Sequence, residues 1–137
     1  MERSEEIEGV IRSMFDMMSS GDGTAFDDML SRQPGVLFLG TDATEWWEGY
    51  DTVSSVTQEQ LKEMQGIEVD LSEATGYAAG DVGWGSARAR YAMPGGGGNE
   101  IRFTAVFRRE DGRWRLVQGH SSIGVPNEEA FGMAMPT

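Results

Sequence analysis

The sequence has 137 residues, 11 Lys and Arg against 23 Asp and Glu, a formal net charge of −12 and no cysteine. A chain of that length is one domain, and so acidic a surface repels nucleic acid and anionic membranes alike. Without cysteine there is no disulfide framework, thiolate metal site or cysteine nucleophile.

Met1 to Glu6 is mostly acidic with no apolar run behind it, which is not the pattern of a secretory signal. The longest aliphatic-aromatic run, Val36 to Leu39, is too short to span a bilayer. A cytoplasmic protein with no nucleic-acid or membrane partner is expected, and nothing in the pattern calls for a metal or a cofactor.

Ile7, Val10, Ile11, Met14, Phe15 and Met18 recur at helical spacing and predict an amphipathic helix, stopped by Ser19 to Gly23. Thr24 and Asp27 open a short second helix with Phe26, Met29 and Leu30 inward. Pro34-Gly35 breaks it, and Val36 to Leu39 is a short strand. Gly40 to Tyr50 is a turn-rich loop with two adjacent tryptophans. Asp51 can cap a third helix, with Val53, Val56, Leu61 and Met64 inward, that ends at Gly66.

Beyond Gly66 the apolar period falls from 3.6 to 2. Ile67, Val69 and Leu71 alternate with Glu68, Asp70 and Ser72. Strands follow around Val82 to Met93, Ile101 to Arg109 and Arg113 to Ile123, parted by Pro94 to Gly98 and by Asp111-Gly112 as hairpin loops. Helices first and antiparallel strands second is an α+β pattern, with helices packed on one face of a curved sheet. The segment after Pro126 is acidic, then Met-rich.

Gly95 to Gly98 lacks the Gly-Lys-Ser/Thr ending of a phosphate loop and leads into a strand, so it is a hairpin loop. Asp16 to Asp27 has Met18 where a calcium loop needs an oxygen ligand, and is rejected. His120, the only histidine, is either a general base or a hydrogen-bonded structural residue. No Gly-x-Ser-x-Gly elbow exposes a serine nucleophile. Strict alternation gives Trp114, Leu116, Gln118, His120 and Ser122 one common strand face. Gly83, Gly85, Ala87 and Ala89 make a face of small residues that a helix, ligand or second subunit can approach closely. Tryptophans are more often core than ligand platform, but Trp46-Trp47 lies in a loop where burying both indoles is hard, so one of them is expected to cover the mouth of something.

Gly40 to Asp51, Asp81 to Trp84 and Arg102 to Ser122 together resemble the SnoaL-like domain, of the superfamily of nuclear transport factor two, ketosteroid isomerase and polyketide cyclases. The resemblance implies a domain over 1–125 with a tail over 126–137. It implies a cone of three N-terminal helices on a strongly curved, mixed but mainly antiparallel sheet, with a hydrophobic cavity between them and a homodimer formed through the sheet.

The catalytic patterns of the superfamily are largely missing. Ketosteroid isomerase uses an Asp base, a Tyr in the first helix and a protonated acid on a middle strand; the corresponding stretches offer Leu37 and Leu39, Met14 and Phe15, and no carboxylate between Ile101 and Arg109. Of the epoxide-hydrolase set of two Asp flanking an Arg, only Arg102 is found.

A small-molecule-binding protein for an apolar or aromatic metabolite is therefore expected. The alternatives are a cyclase, isomerase or hydrolase using His120 with Asp42 or Arg102, and a non-catalytic dimerisation module. Hairpin pairing across Asp111-Gly112 brings Arg102 and Thr104 opposite His120 and Ser122. With Trp47 and Trp84 these four are the predicted lining of the cavity's wide end, provided no bulge turns them outward.

Overall fold

The computed structural model describes residues 2–137. The elements run β1 (Glu2–Arg3), α1 (Glu5–Ser20), α2 (Gly23–Met29), β2 (Leu37–Leu39), β3 (Trp46–Glu48), α3 (Tyr50–Glu63), β4 (Glu68–Ala79), β5 (Val82–Ala92), β6 (Gly98–Glu110), β7 (Arg113–Ser122) and α4 (Asn127–Phe131). The strands form one sheet in the order β1-β4-β5-β6-β7-β2-β3. Every neighbouring pair is antiparallel except β2 and β7. This is the α+β arrangement expected, helices on a curled, unclosed sheet, with four helices among the described residues rather than three.

Local chemistry explains the helix ends. Ser4 caps α1 by accepting the Ile7 N–H, and Gly21, in the left-handed region at φ 74°, closes it by donating to the Met17 carbonyl. Asp22 caps α2 by accepting the Ala25 N–H. α3 starts earlier than predicted: Gly49 is its N-cap and Asp51 falls in its first turn, a favourable place for an acid at the positive helix pole. β1, β3 and α4 were not expected. They are two, three and five residues long, too short for a hydrophobic period to register.

The concave face of the sheet grades from small to large residues, and this grading makes the cavity. Under the N-terminal half of α1 lie Gly76, Gly83 and Gly85, where an added Cβ would run into Ser4, Ile7, Glu8 or Ile11. The small-residue face thus seats the first helix. Under the C-terminal half stand Phe103 and Tyr91, whose rings meet Phe15 edge-on at 5.6 and 6.4 Å between centroids. The helix packs tightly at one end and is held off the strands at the other. Ile7, Ile11, Leu30, Val53, Phe107 and Leu116 fill the narrow end and are fully or almost fully buried.

Two bulges interrupt the period-2 alternation. Leu71 pairs with Ala89 and Glu73 with Arg88, leaving Ser72 as an extra residue in β4. Gln118 pairs with Val106 and Leu116 with Phe107, so Val117 is an extra residue in β7. Trp114 and Leu116 therefore face the core, while Gln118 and His120 face outward and are exposed.

Candidate functional site

At the wide end α1, α2, α3 and the sheet enclose an open cavity of about 600 Å³. Its walls are aromatic and thioether-rich. Phe15, Met14 and Met18 come from α1, Phe26 from α2, Phe38 and Trp47 from the β2–β3 hairpin, and Tyr91 and Phe103 from the central strands. Register places Phe38 beside Trp47, and the Phe38 ring packs over Gly119, where any side chain would collide with it. Phe26 meets Phe38 edge-on at 5.9 Å.

The polar groups are few. The Tyr91 hydroxyl donates to the Met18 sulfur at 3.0 Å, a weak acceptor that leaves the donor available to a ligand. Burial pushes the Tyr91 hydroxyl up from its ordinary pKa, so it stays neutral and acts as a donor rather than a base. Glu45 Oε1 accepts the Asp42 N–H at 2.8 Å and its Oε2 accepts from Gln60 Nε2 at 2.6 Å, tying the β2–β3 loop to α3 on the cavity wall. Glu63 and Met64, at the end of α3, stand on the rim. Among the described residues no Lys, Arg or His lines the cavity.

The six predicted lining residues divide. Trp47 lines the cavity, while Trp46 is 60% exposed and does not. Arg102, Thr104, His120 and Ser122 do come together, with Arg102 opposite Ser122 and Thr104 opposite His120. They do so on the convex face, away from the cavity: Arg102 and Thr104 alternate with the buried Ile101, Phe103 and Ala105 of β6, and the extra residue at Val117 turns His120 and Ser122 to the same side. The Arg102 Nε donates to Ser122 Oγ at 3.2 Å. Trp84 is convex as well, stacked on Tyr77 at 6.4 Å.

Asp42 does not line the cavity either. Its carboxylate accepts both the N–H and the hydroxyl of Thr44, at 2.9 and 2.7 Å, and those two bonds hold it below the usual carboxylate pKa. It is engaged in shaping its turn.

The match to protein-family models agrees with the geometry. Residues 7–126 match the model of the SnoaL-like domain. The chain belongs to this family. Among curated protein sequences none matches significantly. Solved structures share the fold at low identity. An NTF2-like protein of unknown function from Pseudomonas putida KT2440 superposes with a TM-score of 0.78 at 16% identity, covering 99% of each chain. A protein of the NTF2-like family from Streptomyces avermitilis, provisionally named a dehydratase, gives 0.78 at 18% identity over 88% of this chain and 95% of that one. A cystatin-like-fold protein from Caulobacter vibrioides gives 0.74 at 18% identity over 92% of both chains. At such identities the likeness concerns the fold alone.

Of the lining of this SnoaL-like chain's cavity only Trp47 was predicted; Met14, Phe15, Met18 and Phe26 were expected as helix core, and neither Tyr91 nor Glu45 was singled out. Tyr91 had a signal, since it continues the Gly83, Gly85, Ala87, Ala89 face by one more step of two. Glu45 had none: it sits in a loop, and only folding brings it to Gln60. Among the described residues no helix is long and apolar enough to cross a membrane, and no group of three or more His, Cys, Asp or Glu could hold a metal ion.

Proposed function

We propose that the domain binds a small apolar or aromatic molecule in the wide-end cavity, with Trp47 over its mouth and Tyr91 donating to a polar atom of the ligand. The observation that carries this is the cavity itself: about 600 Å³, open and walled largely by aromatic and Met side chains. Sites for ring-sized ligands have this make-up, apolar walls with a few placed polar groups. SnoaL-like relatives support it only as a family in which binding and several kinds of catalysis share one scaffold.

The convex face supports a second element of the proposal, a homodimer through the sheet. Leu37, Gln118, Val106, Trp84 and Tyr77 lie in one row across five strands. All but Gln118 are half-buried in the single chain, and Val82 nearby is 45% exposed. An apolar band on a sheet face, rimmed by Arg88, Arg102 and His120, is the composition of an association surface. We also propose a domain over 1–125, a tail over 126–137 and a cytoplasmic setting.

Calorimetric titration with 2-(1-naphthyl)ethanol tests the cavity, using Ser121→Phe as the control because Ser121 lies on the wall and its enlargement fills the space. Binding to the parent and loss in the variant is expected. No binding to the parent, or equal binding to both, would refute the cavity reading.

A further inference from the structure

The cavity is one-sided in charge. Carboxylates stand on its wall and rim at Glu45 and Glu63, and among the described residues no cationic side chain lines it. The last turn of α3 also reaches the rim, with Glu63 on the lining and the exposed Lys62 outside it. The chain as a whole carries −12, so the long-range field acts with the same sign. The walls, meanwhile, are rings whose faces attract cations: Trp47, Tyr91, Phe15 and Phe38.

Resting on the cavity reading above, we propose that the site selects organic cations: a ring system held by the aromatic walls, with a protonated amine directed to Glu45 and Glu63. Glu45 suits the role because its two hydrogen bonds hold the carboxylate in place while leaving lone pairs free. Only part of its acceptor capacity is used, and both partners are neutral. A ligand carboxylate would instead enter a site lined by two like charges and no cationic side chain, and is disfavoured on that ground.

The test is a calorimetric comparison of three probes sharing one ring: 2-(1-naphthyl)ethylamine, 2-(1-naphthyl)ethanol and 1-naphthylacetate. The amine is expected to bind about tenfold more tightly than the alcohol, as one charge-assisted contact allows, and the carboxylate more weakly than either. Added salt should narrow the gap between amine and alcohol. Glu45→Gln should bring the two together; it can keep both hydrogen bonds if the Gln60 amide turns over.

If Glu45→Gln does not fold, the exposed Glu63→Gln decides, and it must reduce the amine's advantage by about threefold. Alcohol or carboxylate binding as tightly as the amine overturns the cation proposal and leaves the cavity reading standing. So does an amine preference that survives both substitutions. Failure of all three probes brings down the cavity reading and this proposal together.

Discussion

One strand carries both of the molecule's surfaces. On the concave side of β5 stand Gly83, Gly85, Ala87, Ala89 and Tyr91; on the convex side of the same strand stand Val82, Trp84, Ser86, Arg88 and Arg90. The concave set grades from no side chain to a phenol, and the grading tilts α1 away from the sheet until a cavity opens. The convex set follows no such gradient and leaves Trp84, stacked on Tyr77, half-buried. Size order along one face makes a pocket, while the other is the face of the proposed dimer. The two can be broken separately.

The largest effect is expected at the tight end of the concave face. A Cβ at Gly76 would lie 2.7 Å from the Glu8 nitrogen and 2.8 Å from the Ser4 oxygen, both backbone atoms that move only if α1 moves. Gly76→Ala should therefore cost about 3 kcal/mol, which for a chain of this size lowers the melting temperature by about 10 °C. Gly9, on the same helix, has nothing within 4 Å of the equivalent point. Gly9→Ala should stabilise by about 0.5–1 kcal/mol. Equal melting temperatures for the two variants would show that the small-residue face does not seat the helix.

On the convex face the proposed dimer should respond to charge placed in the apolar row. Trp84→Glu would bury an unpaired carboxylate against a second copy, so light scattering at micromolar concentration should fall from twice 15.0 kDa to the monomer mass of 15.0 kDa. Naphthylethanol binding should remain, since Trp84 does not line the cavity. A parent protein that scatters as a 15.0 kDa monomer under those conditions would remove the dimer from the reading.

Most of the architecture was legible in the sequence because it is written in periods. The change from 3.6 to 2 at Gly66 separated helices from strands, and Gly21, Pro34-Gly35 and Asp111-Gly112 marked the breaks. The site was legible only in part. A period-2 count places Trp114 and His120 on one face, and the extra residue at Val117 separates them. Nothing at Val117 signals a bulge, since valine is an ordinary strand residue and the irregularity arises from pairing with β6. Glu45 was invisible for a related reason: its partner Gln60 is fifteen residues away on another element.

A smaller effect is expected where α2 is clamped to α3 beside the cavity. Asp27 accepts from the Tyr50 hydroxyl at 2.7 Å, the Ser54 hydroxyl at 2.5 Å and the Arg32 guanidinium at 2.9 Å. Burial alone would raise its pKa; the hydrogen bonds from Ser54 and Tyr50 and the Arg32 charge outweigh it and hold the carboxyl below the usual range. A depressed folded value means the stabilisation is complete above the unfolded pKa of about 3.9 and is lost as pH falls through the folded one. Asp27→Asn should cost about 1–2 kcal/mol at pH 7. The gap between parent and variant melting temperatures should narrow as the pH is lowered below that unfolded value. A gap independent of pH would mean that the charge of Asp27 contributes nothing.

The finest test sets one residue from each face against the other. Tyr91→Phe removes the cavity's weakly partnered donor and should weaken naphthylethanol binding by about threefold to tenfold, the range of one neutral hydrogen bond. Stability should hardly change, because the bond lost inside the protein ends on a thioether. His120→Ala should leave naphthylethanol binding unchanged within about twofold, a difference well below the worth of one hydrogen bond. The imidazole is exposed on the convex side opposite Thr104, and the bulge at Val117 keeps it there. Two outcomes would reverse the assignment of faces: His120→Ala weakening the ligand as much as Tyr91→Phe does, or Tyr91→Phe having no effect while His120→Ala does. Either would mean that β7 in solution lacks the bulge and presents the strictly alternating face, with Trp114, Leu116, Gln118 and His120 together. Backbone amide exchange along Arg113 to Ser122 would then distinguish the registers, since a bulged strand leaves one amide unpaired and a regular one does not.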